Sequence, residues 1–137
     1  MIKILFVYER YSTSLRVVKE MLEKESYVIT EVFTTDEAIK KLKKENFSII
    51  VSDITFRHVV LCTETQREYG VFLAEDIRKR DIELCTPYDV PIIFIYEKSL
   101  VMGQMVYLAI DLVGEENCFS NSVSPQIIVD VIKKILF

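Results

Sequence analysis

Residues 47–54 read Phe47-Ser48-Ile49-Ile50-Val51-Ser52-Asp53-Ile54, a β-branched apolar run that carries the chain straight onto a carboxylate. A continuous run such as Ile49-Ile50-Val51 is expected in a strand buried on both faces, as in a parallel sheet covered by helices. Asp53 then falls near the strand's C-terminal end, the edge of open α/β sheets where ligands and chemistry collect. The same aspartate would also serve to end the strand or cap a turn, and the stretch by itself leaves both roles open.

Working outward, the pattern alternates regularly. Upstream, Ile2–Tyr8 forms a first strand ending at Glu9. Ser12 or Thr13 offers an N-cap to a helix whose Leu15, Val18, Met21 and Leu22 recur at helical spacing. Tyr27–Phe33 reads as a second strand, and Thr34-Thr35-Asp36-Glu37 starts a helix carrying Ala38, Ile39 and Leu42.

Downstream, Thr55 to Glu68 shows no clear period, so an enlarged loop is expected over about residues 54–69. It would serve as a lid, a partner-binding element or a plain surface excursion. Gly70 opens a third helix through Arg78, and residues 81–89 connect it to a fourth strand, Ile92–Tyr96. Ser99–Val113 reads as a helix, Asn117–Ser120 as a short fifth strand, and Ser124-Pro125 starts a last helix with Ile128, Val131, Ile132 and Ile135 on its buried face. Five strands alternating with five helices over residues 1–137 imply one α/β domain, a parallel sheet with helices on both faces.

The chain has 137 residues, half of them hydrophobic, which is enough for one substantial core. Net charge is −4, and the run Lys40-Lys41-Leu42-Lys43-Lys44, flanked by Glu37 and Glu45, reads as a solvated helix face. Nucleic acid is therefore not an expected partner. Neither a signal peptide nor an apolar run of about 20 residues is readable, so no membrane partner is expected either. Cys62, Cys85 and Cys118 lack metal-ligand spacing and read as reduced thiols of a cytoplasmic protein, and the lone His58 reads as ordinary surface.

Lys3-Ile4-Leu5-Phe6-Val7, Ser48 to Ile54 with its Asp53, Gly70 to Arg78, Val90-Pro91-Ile92-Ile93-Phe94 and the spacing from Gly114 to the last helix together resemble the receiver domains of two-component response regulators. The resemblance covers nearly the whole chain. It implies a flavodoxin-like (βα)5 three-layer sandwich with sheet order 2-1-3-4-5. It also implies that Asp53 is the acceptor of a phosphoryl group from a histidine kinase. Magnesium would sit between Glu9, Asp53 and the backbone carbonyl of Thr55.

Three positions depart from that pattern. Tyr8 stands where the first acid of a metal-binding pair is expected. Tyr96 replaces a small hydroxyl residue, and Asn121, followed by Ser122, replaces a lysine that clamps the phosphoryl oxygens. Lys98 and Arg57 are the cations in neighbouring loops available as substitutes. Weak magnesium binding and slow phosphorylation are the expected consequences.

Residues 99–113 are apolar well beyond one stripe. Val101, Met105, Leu108 and Leu112 form one row, and Met102, Val106, Ala109 and Val113 a second. Either the enlarged loop covers the second row, or it is an interface. The interface reading predicts a homodimer through the fourth helix, fifth strand and fifth helix, with Met102, Met105, Val106, Tyr107 and Phe119 at or near the seam.

The leading expectation is a stand-alone signalling domain that acts through protein–protein contact. The alternative is a small flavodoxin-like enzyme or nucleotide-binding protein. Against it, the turn Tyr8-Glu9-Arg10-Tyr11-Ser12 has no glycine for phosphate approach, and no Ser-His-Asp or Cys-His set is readable. A redox sensor using Cys62 and Cys85 is a third, weaker reading.

Overall fold

The computed structural model describes residues 1–9, 12–54, 70–98 and 103–137. The apolar runs become strands β1 (Lys3–Val7), β2 (Val28–Val32), β3 (Ile49–Ser52), β4 (Ile92–Tyr96) and β5 (Cys118–Ser120). Between them lie α1 (Thr13–Glu23), α2 (Thr35–Lys44), α3 (Gly70–Arg78), α4 (Gly103–Val113) and α5 (Pro125–Leu136). All strand pairs are parallel, in the order β2-β1-β3-β4-β5, which is the expected flavodoxin-like arrangement.

Strand alternation sorts the core into two layers, because successive side chains leave opposite faces of the sheet. Leu5, Val7, Ile50, Ile92 and Phe94 pack under α2, α3 and α4 with Leu42, Leu73 and Ile77. Ile4, Phe6, Ile49, Val51, Ile93 and Ile95 pack under α1 and α5 with Leu15, Val18, Leu22, Ile128 and Ile132. The central strand β3 is buried along its whole length, as its unbroken β-branched run requires.

Local signals place the helices. Thr34 caps α2: its hydroxyl oxygen accepts the Glu37 N–H at 3.1 Å and its O–H donates to Glu37 Oε1 at 3.2 Å. Ser12 and Ser124 occupy the N-cap positions of α1 and α5, without a side-chain capping bond. The four lysines of the α2 run are exposed, as expected of a solvated face.

Strands β1 and β2 are each one residue shorter at either end than the sequence reading, and β5 and the buried face of α5 differ from it more. Asn117 is not in β5. Residues Glu115–Asn117 form a 3-10 turn, and the Asn117 carboxamide donates to the Val113 carbonyl at 2.9 Å, satisfying an otherwise orphaned helix-end acceptor. On α5 the buried face is Ile128, Val129 and Ile132, while Val131 is half-buried and Ile135 is exposed. The helix is thus turned by about one residue from the expected stripe. Of the Ser99–Val113 helix, Gly103–Val113 is described; residues 99–102, with the expected interface residue Met102, lie outside the described residues.

The connector between α3 and β4 is anchored from below. The fully buried Thr86 hydroxyl accepts the Phe47 N–H at 3.0 Å and donates to the Glu45 carbonyl at 2.6 Å. Arg78, at the end of α3, donates to the Tyr88 and Val90 carbonyls at 2.6 and 2.8 Å. These bonds hold the N-terminal pole of the sheet and leave the C-terminal edge free to carry function.

Candidate functional site

At the C-terminal edge, Asp53 follows the last residue of β3 and is buried. Its amide donates to the Val7 carbonyl at 3.1 Å, and its Oδ2 accepts the Glu9 N–H at 3.0 Å. The carboxylate is therefore held by main chain across the β1–β3 pair. A backbone N–H to an ionised carboxylate is a charge-assisted bond.

Behind Asp53, α3 comes unusually close. A Cβ on Gly70 would lie 1.8 Å from the Asp53 carbonyl oxygen and 2.5 Å from Ser52 Oγ. Ser52 Oγ itself donates to that carbonyl at 2.8 Å, and Val71 N–H donates to the Ile54 carbonyl at 3.1 Å. Only glycine allows this approach. The sequence reading took Gly70 as a helix start and missed this second role; the sole available signal was a glycine at the head of an apolar helix pattern.

Tyr8 does not join Asp53. Strand alternation sends it to the α1/α5 side with Ile4 and Phe6, where its hydroxyl donates to Glu31 Oε2 at 2.6 Å and its ring lies 5.4 Å from that of Phe33. Lys19 reaches the same carboxylate oxygen at 2.9 Å. Burial, reinforced by the Glu31 bond, pushes the Tyr8 phenol well up. The Tyr8 hydrogen bond, helped by Lys19, holds the Glu31 carboxyl below its usual range.

Glu9 meets Asp53 through its main chain, across 44 positions of sequence, and is half-buried. Thr55 lies outside the described residues, as do His58, Arg57, Cys62 and nearly all of the expected 54–69 loop. Among the described residues no group of three or more His, Cys, Asp or Glu gathers. A magnesium ion needs only one or two carboxylates, with waters completing its octahedron, so the oxygen donors of Asp53 and Glu9 fit such an ion in kind.

The other half of the edge is built by β4 and β5. Tyr96 ends β4, half-buried, and alternation turns it to the α2/α3/α4 side, where it packs against that core. Asn121 follows β5. Its N–H donates to the Tyr96 carbonyl at 2.7 Å, and its Oδ1 accepts the Lys98 N–H at 3.3 Å. Asn121 thus ties together the turns after β4 and β5.

Neither a family model nor a curated protein sequence matches this chain. Solved structures do. A response regulator receiver domain from Francisella superposes with a TM-score of 0.71 at 16% identity, over 98% of this chain and 96% of that one. A response regulator protein from Thermotoga maritima, in complex with magnesium and beryllofluoride, gives 0.70 at 21% identity, over 98% and 99%. The beryllofluoride-activated NtrC4 receiver domain, solved as a dimer in solution, gives 0.71 at 21% identity, over 98% and 96%. The chain has the receiver-domain fold.

Within the receiver fold, the helix expected at the interface behaves differently from its two predicted rows. Ala109, of the second row, is the fully buried residue of α4. Met105, Val106, Leu108, Leu112 and Val113, from both rows, pack partly against the core. Lying over the sheet's β4–β5 margin, α4 spreads its contacts across a wide face instead of hiding one stripe. Its exposed large apolar residue is Tyr107, 73% exposed.

On α5, Lys133 pairs with Glu25 beyond the end of α1 at 2.9 Å, which fixes the flank that faces α1. Helical spacing puts Ile127, Val131 and Ile135 on the opposite flank. Ile127 is 53% exposed. Phe119 is half-buried and packs with the α1/α5 core, so it is largely spent inside the molecule. The thiol of Cys118 is pushed up to about 12, chiefly by burial and then by Glu116 and Glu115, which makes it a poor nucleophile; Cys85 is exposed. No helix among the described residues is long and apolar enough to cross a membrane.

Proposed function

We propose that this chain is a receiver-type signalling module of two-component systems that works through protein contact, with Asp53 as a slow phosphoryl acceptor. The observation that carries the reading is Asp53 itself: a buried carboxylate at the C-terminal end of the central strand, one oxygen held by the Glu9 N–H at 3.0 Å. A carboxylate so fixed is positioned for in-line attack on phosphorus, and catalysis of phosphoryl transfer is largely positioning and charge compensation.

Magnesium held weakly by Glu9, Asp53 and the Thr55 carbonyl supplies charge neutralisation when bound. The donor is a phosphohistidine of a kinase in the cytoplasm. The contact surface is the flank formed by α4, β5 and α5, where Tyr107 and Ile127 stand exposed, and its simplest occupant is a second copy of the chain about a twofold axis.

The test is incubation with acetyl phosphate and magnesium, followed by intact mass. The expected result is slow addition of one phosphoryl group, absent in Asp53→Asn and reduced in Glu9→Gln. An unlabelled wild-type protein after hours of incubation defeats the acceptor reading.

A further inference from the structure

We infer that Lys98, held in place by Asn121, is the cation that binds phosphoryl oxygens at this edge. The inference rests on the reading of Asp53 as acceptor and names a residue that completes its site.

Acceptance joins an Asp53 carboxylate oxygen to phosphorus while the bond from phosphorus to the donor breaks, P–N for a phosphohistidine and P–O for an acyl phosphate. With acetyl phosphate, acetate leaves with the bonding pair. Negative charge on the three remaining phosphoryl oxygens then needs a positive partner beside a carboxylate that is already buried.

Among the described loop residues at the C-terminal edge, after β1, β2, β3, β4 and β5, Lys98 is the one cation. Its exposed ammonium enters no ion pair among the described residues. Sheet order places it well. β4 is the direct neighbour of β3, with Ser52 opposite Phe94, so the turn after β4 is about 4.8 Å from Asp53's strand, whereas the turn after β5 is about twice that.

Asn121, on the farther turn, has a side chain too short to cross β4. It is spent instead on the turn that carries Lys98: its Oδ1 accepts the Lys98 N–H at 3.3 Å, and its N–H donates to the Tyr96 carbonyl at 2.7 Å. The lysine stem is long, flexible and carries a point charge, so fixing its backbone is the available way to aim it. Lys98 is therefore the anion-binding residue, and Asn121 a positioning residue that acts through it.

The experiment compares rates of acetyl-phosphate labelling, by intact mass, across donor concentrations. Lys98→Ala is expected to label about tenfold more slowly and to need more donor for half-maximal rate, while Lys98→Arg retains most of the wild-type rate. Asn121→Ala should fall between them. In the Lys98→Ala background, Asn121→Lys should recover labelling by supplying a long cation from β5. Circular dichroism and urea midpoints check that each variant is folded; the exposed Lys98 leaves stability unchanged. Wild-type labelling that persists undiminished in Lys98→Ala overturns this inference and leaves the acceptor reading standing. No label in the wild type, with Asp53→Asn identical to it, overturns both.

Discussion

The two halves of the sheet's C-terminal edge are built by different means. On the β1–β3 half, function-bearing groups are fixed by main chain: the Glu9 N–H holds the Asp53 carboxylate, and the α3 backbone presses on the Asp53 carbonyl through Gly70. On the β4–β5 half, side chains set the arrangement: Tyr96 turns into the α2/α3/α4 core, and Asn121 laces the two turns together. Main-chain geometry survives most substitutions of neighbouring side chains. Side-chain equipment does not. The Asp53 half therefore keeps its form when neighbouring side chains change, while the β4–β5 half depends on the identities of Tyr96 and Asn121.

The sharpest way to break this comparison is Gly70→Ala. A methyl placed 1.8 Å from a backbone oxygen cannot be absorbed by a side-chain rotation, so α3 or the end of β3 must move. Overpacking of this kind costs about 1–3 kcal/mol and occasionally more; we expect the upper end or beyond, read from the urea midpoint. Asp53 should shift with it, visible as amide chemical-shift changes at Glu9 and Asp53. A stability loss under about 1 kcal/mol would mean that α3 is not seated on the Asp53 peptide.

Self-association probes the other half. Tyr107→Asp and Ile127→Asp each place a charge on an exposed apolar position of α4 or α5 without touching the buried face. Each should weaken a homodimer by about tenfold or more in sedimentation equilibrium, with the fold intact. Val106, marked for this purpose by the apolar pattern, is the poorer choice because it packs on the core. A wild type that sediments as a monomer at high micromolar concentration removes the dimer.

Much of this architecture was legible in the chain, and the reason is physical. Unbroken apolar runs such as Ile49-Ile50-Val51 and helix starts at Thr34 and Ser124 are local signals, and local signals set element order. Asp53 could be placed at the right edge from that order alone. What stayed hidden was non-local. The approach of Gly70 to Asp53 joins residues seventeen positions apart, and the Asn121 bonds to Tyr96 and Lys98 cross between two loops. The α4 rows failed for a related cause: periodicity says which residues share a face, but not how wide a surface the sheet margin offers to cover them. Tyr8, read only as a missing acid, proved to be a staple between β1 and β2.

That staple gives a third, smaller test, on the β1 side of the edge. Tyr8→Phe removes the hydroxyl that donates to Glu31 at 2.6 Å and should cost about 1 kcal/mol at neutral pH. Glu31's carboxyl is held below its unfolded value in the native state, first by Tyr8 and then by Lys19. Its stabilising contribution is thus present above the ordinary carboxylate range and is lost as pH falls through the lowered native value. The gap between wild type and Tyr8→Phe, followed by thermal melts, should narrow on the acid side. A gap that widens on acidification would show that Glu31 is not the partner through which Tyr8 acts.

The smallest expected effect has the opposite sign and contrasts the glycines of the two halves. Gly103 opens the described part of α4, and a Cβ there would meet nothing within 4 Å among the described residues; its φ lies outside the left-handed region. Nothing in the packing of the described residues demands a glycine at that position, so its conformational freedom in the unfolded chain is simply lost on folding. Gly103→Ala should raise stability by at most about 1 kcal/mol, the difference in helix propensity between the two residues. Placed beside Gly70→Ala in the same urea series, it makes the contrast a matter of sign: one methyl collides with the Asp53 peptide, the other stiffens a helix on the flank proposed for contact. If Gly103→Ala destabilises instead, α4 uses that glycine for a close approach of its own, and the β4–β5 half is held by main-chain geometry as strictly as the half that carries Asp53.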